Sequence, residues 1–416
     1  MIWGYNDSMI DINHIRENPE KIKKGIKSKQ LDPKLVDEAL ELDKKRRELL
    51  NKIETLRAER NKAAKEQDKE KGGEIKTKLQ KLEPELAKIE KEYKEKLYQI
   101  PNLPADDVKV GGGESENEVI RDWGEKKETS AKDYLELGED LDIIDIKRAA
   151  KVSGSRFGYL KGDAVLLEFA LIQFATELLV KEGFTPIIPP SLIKKESMRG
   201  MGYLEHGGEE DMYVFEKDNL VLVGTSEQAI GPMHMNEVLE EKDLPKRYVS
   251  FSPCFRREAG SYGKDTKGIL RVHQFDKVEM FSFTKPEDSE KEHEYVLSLE
   301  EKLFQALKIP YQVVKMCSGD LGAPASKKYD LEAWMPGQGK YREVTSTSNT
   351  TDFQARRLNI KYQDKGETKF VHTVNGTAFA IGRTIIAIIE NYQQKDGSVL
   401  IPEVLQKWVG KEKITS

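Results

Sequence analysis

Cysteine is nearly missing from this chain, and several function classes go with it. Only Cys254 and Cys317 occur among 416 residues, and they form no CxxC pair. Two such residues imply neither a disulfide framework nor a zinc site, and a reducing cytoplasm is the expected compartment. No apolar run approaches the roughly 20 residues that a membrane span needs. The first residues lack the basic stretch and apolar core of a secretory signal. No P-loop or GxGxxG fingerprint appears, which argues against a Rossmann nucleotide site. No Ser-His-Asp or Cys-His arrangement stands out either.

What the chain does have is charge, 34% of its residues, and two segments that concentrate it. An apolar, aromatic run from Tyr248 ends in Phe255-Arg256-Arg257-Glu258-Ala259-Gly260. About twenty residues on, Phe275-Asp276-Lys277-Val278-Glu279-Met280-Phe281 alternates apolar and charged positions, as a half-buried strand does. Between them, Ser261 to Gly268 is glycine-rich and polar, with Lys264 and Lys267 placed to close over a polyanion. An antiparallel pair would set Arg256, Glu258 and Glu279 on one platform, where an arginine fork suits an α-phosphate or a carboxylate. The competing possibility is a surface hairpin with solvated charges. A second segment weighs against it: Asn375-Gly376-Thr377-Ala378-Phe379-Ala380 reads as a glycine-punctuated strand, and Ile381 to Glu390 as an apolar helix with Arg383 in its first turn.

These segments resemble motifs 2 and 3 of class II aminoacyl-tRNA synthetases. The wording of Pro253–Gly263, Arg271–Glu279 and Asn375–Thr377 is similar to that of the seryl-tRNA synthetase family, in its standard, non-zinc form. The resemblance runs from about Met9 to the last residues, so Met1 to Ser8 reads as an extension. It implies an α+β fold: an antiparallel-sheet catalytic domain with flanking helices over residues 106–416, preceded by an N-terminal tRNA-binding domain over 1–105. Short strands expected around residues 221–223, 248–251, 278–283, 311–315, 331–335 and 371–375 agree with such a sheet.

The N-terminal part is legible by itself. Leu35, Leu42, Leu49, Leu56 and Ala63 recur every seven residues, and Ile75, Leu79, Leu82, Leu86, Ile89, Tyr93, Leu97 and Ile100 follow by threes and fours. Two such helices joined at Gly72-Gly73 predict an antiparallel coiled-coil hairpin over about 31–100. Its second helix reaches roughly 40 Å, with Pro84 expected to kink it. The net charge is −5, yet Lys44, Lys45, Arg46, Arg47, Lys52, Arg57 and Arg60 crowd the first helix. A scaffold coiled coil and a nucleic-acid arm both fit that pattern. The resemblance favours the arm, binding tRNA phosphates and reading the fold of the RNA rather than its anticodon. The arm is shorter than in most bacterial members.

The resemblance also implies a set of site residues. Thr225, Ser226 and Glu227, otherwise a common helix cap, hold the substrate's amino group. Glu279 takes the serine hydroxyl, with Asn375 and Thr377 at the far side of the pocket and Arg256 on the carboxylate. For ATP, Arg256 contacts the α-phosphate, Arg257 lies beside it, Glu258 reads the adenine amino group, and Val272 meets the base by its backbone. Phe275 stacks on the ring, Glu343, Val344, Thr345 and Ser346 line the phosphates, and Arg383 holds the γ-phosphate. Glu343 and Ser346 are the implied Mg²⁺ ligands. Arg256, Glu279 and Arg383 form the catalytic constellation. The implied partners are L-serine, ATP, tRNA(Ser), tRNA(Sec) where the host has one, and a second copy of the chain, met through the motif-1-like unit of Val165 to Pro190, with one subunit's arm serving the other's site. A carrier-protein ligase, a threonyl or prolyl enzyme, and a non-enzymatic coiled-coil protein are the rivals. They are disfavoured by the basic arm, by the wording around Glu279 with no C-terminal anticodon-binding domain, and by the Arg256–Glu279–Arg383 set respectively.

Overall fold

The computed structural model describes residues 10–127, 131–259, 265 and 267–416. The extension Met1 to Ser8, Met9 and Lys264 lie outside the described residues. The chain divides into two compact units, Met1–Leu103 and Pro104–Ser416.

In the first unit two long helices, α1 (Lys34–Lys65) and α2 (Lys69–Tyr98), form the hairpin. The heptad positions do the packing. Ile53 is buried with Ile75 and Leu79, and Leu56, Leu82 and Leu86 flank them. At the base, Val36, Ala39, Leu97 and Ile100 pack on Ile15, Ile22 and Ile26 of two short preceding helices. Asp43 is buried there and takes both arms of the Arg16 guanidinium, at 2.9 and 2.6 Å, which fixes the base in a defined geometry. One expectation is corrected. Gly72-Gly73 does not make the turn; both residues lie inside α2. The chain reverses earlier, at Glu66 to Asp68, where Gln67 takes a left-handed φ of 59°. The Asp68 carboxylate then caps α2 by accepting from the Lys71 N–H at 3.0 Å. The cap fixes where the helix starts, and the two glycines, each costing about 1 kcal/mol inside a helix, do not stop it. The helix continues through Pro84.

The second unit is built on an eight-stranded sheet. Its strands are β1 (Glu118–Trp123), β2 (Thr185–Ile187), β3 (Lys246–Phe255), β4 (Gln274–Thr284), β5 (Tyr311–Lys315), β6 (Lys327–Met335), β7 (Lys340–Thr351) and β8 (His372–Ala380). Their order is β1-β5-β6-β7-β8-β4-β3-β2. Only the β2–β3 pair is parallel. Helices α3 (Asp163–Lys181), α4 (Ser289–Ala306) and α5 (Ile381–Tyr392) share one apolar core with the sheet, through Leu167, Leu171, Leu303, Phe304, Ile385 and Ile389 against Val278, Leu331, Val374 and Phe379.

Strand alternation sends the remaining side chains to the opposite face, and there the sequence is polar. Two bulges, at Ala378 of β8 opposite the Val278–Glu279 step of β4 and at Val344 of β7 opposite the Leu331–Glu332 step of β6, shift the register beside the residues of interest. Helix α4 is also bound by buried polar contacts. Glu292 accepts a bidentate pair from Arg247 at 2.7 and 2.6 Å, and the Thr345 hydroxyl donates to Glu300 at 2.6 Å. Gly376 lets α4 approach this closely: a Cβ there would stand 2.4 Å from Val296 Cγ1 and 2.6 Å from Glu300 Oε1.

Candidate active site

The polar face opens into a cavity of about 400 Å³. Strand β3 delivers Arg256 at its end, where the backbone is pinned by the Arg256 N–H donating to His273 O at 3.0 Å. The guanidinium donates to Gly224 O at 3.1 Å and lies 5.2 Å from the Phe275 ring centroid. Glu258 adopts a left-handed φ of 55°. That turn brings its carboxylate back to Arg271 at 2.8 Å. On the neighbouring strand Glu279 faces Ser250 of β3 and Thr377 of β8 in register, so three strands converge on one carboxylate.

Glu279 is buried and holds the Lys277 ammonium at 2.6 Å, with the Thr377 hydroxyl donating at 3.2 Å. Glu227 lies close by and accepts from the Tyr203 hydroxyl. Burial first, and the charge of Glu279 second, push its carboxyl up to about 7, against the opposing pull of Lys277, Tyr203 and Arg256. Tyr203, buried beside that carboxylate, is raised well above its ordinary value. At the other end Arg383 donates to the Glu343 backbone at 3.0 Å and pairs with its carboxylate at 3.1 Å. Burial works to raise Glu343, but Arg383, Lys328 and Arg256 outweigh it and bring the carboxyl down to about 2. The cavity thus has a carboxylate-rich end, suited to an ammonium and a hydroxyl, and a guanidinium-rich end suited to phosphates.

Of the expected site residues, Thr225, Glu227, Arg256, Glu258, Val272, Phe275, Glu279, Glu343, Val344, Thr345, Ser346, Asn375, Thr377 and Arg383 line this one cavity. Ser226 and Arg257 do not. The Ser226 hydroxyl is buried against Ser250 at 2.6 Å, and the Arg257 backbone N–H donates to Asp211 O at 2.9 Å. Lys267 is exposed. Tyr203, Lys277 and Lys328 are among the lining residues that had no role on sequence. Lys277 was findable, since it shares a strand face with Glu279 two positions away.

The basic residues of α1 divide into two groups. Lys45 pairs with Glu41 at 2.6 Å, Arg46 with Glu90 at 3.5 Å, Arg47 with Asp43 at 3.0 Å and Arg57 with Glu83 at 2.8 Å. Lys44, Lys52 and Arg60 are exposed and make no ion pair among the described residues.

An antiparallel sheet backed by helices, with this constellation on its open face, is the core of a class II aminoacyl-tRNA synthetase. The family model described as the tRNA synthetase class II core domain (G, H, P, S and T) matches residues 213–392. A second, the seryl-tRNA synthetase N-terminal domain, matches residues 9–104. The chain is 48% identical over 421 residues to the serine–tRNA ligase of Dictyoglomus turgidum, covering 98% of this chain and 99% of that one. It is 50% identical to the Dictyoglomus thermophilum ligase, with the same coverage of each chain. Among solved structures, the seryl-tRNA synthetase of Pyrococcus horikoshii complexed with ATP superposes with a TM-score of 0.92 at 45% identity, covering 98% of this chain and 99% of that one. The cytoplasmic serine–tRNA ligase of Naegleria fowleri in complex with AMP gives 0.89 at 36% identity, with the same coverage. The chain belongs to the seryl-tRNA synthetase family.

Proposed function

We propose that this protein activates L-serine with ATP to seryl-adenylate and transfers the serine to tRNA(Ser), and to tRNA(Sec) where the host has one. The observation that carries this reading is the gathering of Arg256, Glu279 and Arg383, from three separate chain segments, around a single cavity. The serine ammonium is held by Glu227 and Thr225, and its hydroxyl by Glu279 with Thr377 and Asn375. An analogue without the hydroxyl leaves those buried groups unpaired, which rejects it by about 10⁴-fold. Arg256 orients the serine carboxylate beside the α-phosphate, and Phe275, Val272 and Glu258 receive the adenine. In the first step a carboxylate oxygen attacks the α-phosphorus in line. The bond to the bridging oxygen breaks, and pyrophosphate leaves. Arg256 stabilises the charge developing on the phosphoryl oxygens, and Arg383 holds the far phosphates in the bent geometry the attack needs. In the second step the terminal ribose hydroxyl of tRNA attacks the adenylate carbonyl, and AMP leaves.

Glu343 and Ser346 are the residues that would hold Mg²⁺. They fit it in kind: both line the cavity and offer oxygen donors, and the Glu343 carboxyl stays ionised. A hard cation with one or two protein oxygens fills its shell with phosphates and water. Bound there, it would neutralise phosphate charge.

We further propose a cytoplasmic homodimer. What supports the dimer is the apolar surface of α3 and the residue after β2, where Phe169 is 62% and Ile188 87% exposed. No helix among the described residues is long and apolar enough to cross a membrane. The test of the function is charging: with labelled serine, ATP and total tRNA, acid-precipitable serine accumulates. No incorporation, with the tRNA shown to accept serine from another source, overturns the reading.

A further inference from the structure

Lys328 sits on β6 opposite Ser348 of β7, and Asp330 sits opposite Ser346. The strand period places both on the open face, and Lys328 lines the cavity. The ammonium is 3.1 Å from Asp330 Oδ1. It has three donors, and Asp330 is the one residue within ion-pair distance of it among the described residues, so the carboxylate does not use them all. The same wall carries Glu343, tied to Arg383 at 3.1 Å. Arg256, Arg383 and Lys328 all act electrostatically on that one carboxylate, from β3, α5 and β6 respectively. These three cations stand against Glu343, Asp330 and Asp320, so the wall is near balance as it stands and gains an excess of positive charge only when Glu343 is engaged elsewhere. The arrangement marks where a polyanion would lie once Glu343 turned to a cation.

Building on the function proposed above, we propose that Lys328 is a phosphate-contacting residue, held at the cavity wall by Asp330, that binds the pyrophosphate portion of ATP and the pyrophosphate released from it. Lysine suits this end of the site. A mobile point charge follows a departing group, whereas the planar forks of Arg256 and Arg383 hold fixed oxygens. Asp330 has a positioning role: it keeps the ammonium from collapsing onto Glu343.

The test measures binding and turnover in the full-length protein. Binding of inorganic pyrophosphate with Mg²⁺ is followed by calorimetry, and KM values for ATP and serine by steady-state kinetics. Lys328→Met is expected to weaken pyrophosphate and raise KM for ATP about tenfold each, the scale of one charged hydrogen bond. KM for serine and the thermal midpoint stay close to wild type, and Lys328→Arg recovers most of the loss. Unchanged pyrophosphate affinity overturns the proposal. So does a parallel rise in both KM values with a lowered thermal midpoint and no rescue by arginine, which would mark a purely structural pair. A wild-type protein that binds pyrophosphate in a Lys328-dependent way, yet forms no adenylate with serine, would remove the proposed function and leave this contact standing.

Discussion

Replacing Lys277 by Met removes one cation from between two buried carboxylates and leaves the packing nearly intact. The Lys277 ammonium is 2.6 Å from Glu279, with side chains 7% and 1% exposed, so the pair is shielded from water. Glu227 feels both partners, Glu279 as a repelling charge and Lys277 as an attracting one. Methionine fills a similar volume, so cavity terms stay small. The loss is therefore electrostatic: an uncompensated buried charge costs about 3–5 kcal/mol. Against a folding stability of about 5–15 kcal/mol, that is a large part of the whole. The double variant Lys277→Met with Glu279→Gln takes away the stranded charge and recovers most of the stability. It does not recover serine activation, because the hydroxyl's carboxylate partner is gone. Urea denaturation followed on the catalytic unit, together with serine-dependent pyrophosphate exchange, reads both effects. A single variant within about 1 kcal/mol of wild type, or a double variant no more stable than the single, refutes the reasoning.

Serine binding should weaken below about pH 7, where the raised Glu227 carboxyl takes up its proton and loses its charge for the ammonium; KM for serine measured against pH rises toward tenfold per unit, and Glu227→Gln flattens the profile. The sign for stability runs the other way, since a raised folded value favours folding at pH below 4.5 and that contribution is lost as pH climbs through about 7. Arg256→Ala should abolish serine-dependent pyrophosphate exchange without unfolding the protein, as circular dichroism and thermal melts will check. Reversing Lys44, Lys52 and Arg60 to Glu should raise KM for tRNA by about tenfold or more and flatten its salt dependence by about one log unit per lost phosphate contact, while exchange without tRNA is unchanged.

The parts of this protein that were legible from sequence are those with a strong period or strong punctuation. Heptads gave the hairpin because a coiled-coil seam leaves a repeating apolar mark. The alternation around Glu279 gave β4 as a strand, but one buried on both faces from Lys277 to Thr284 rather than the half-buried one expected. β7 was not foreseen as a strand. Its core, Thr345 to Thr351, is hydroxyl and amide side chains throughout, and such residues signal turns as readily as strands. They form a strand here because β6 and β8 pair with both of its edges, Ser346, Ser348 and Thr350 line the polar cavity, and Thr345 and Asn349 find partners in Glu300 and Glu290 of α4. The turn at Gln67 was missed for a related reason: two glycines are a louder signal than one left-handed glutamine beside an aspartate cap. Lys328 escaped because its role depends on a neighbour across the sheet, and cross-strand register is invisible until the strands are paired. Ser226 shows the converse. It sits inside a motif whose other two members line the cavity, yet the first turn of a helix points its hydroxyl at Ser250 instead.

The most direct measurement is ATP–pyrophosphate exchange by the purified protein, run separately with each standard amino acid in the absence of tRNA. Serine is predicted to drive rapid exchange, threonine a small fraction of it, and alanine none above background, because only serine satisfies the buried carboxylate and hydroxyl groups around Glu279 without adding a methyl. Exchange with no amino acid, or with alanine as readily as serine, contradicts the assignment of that pocket.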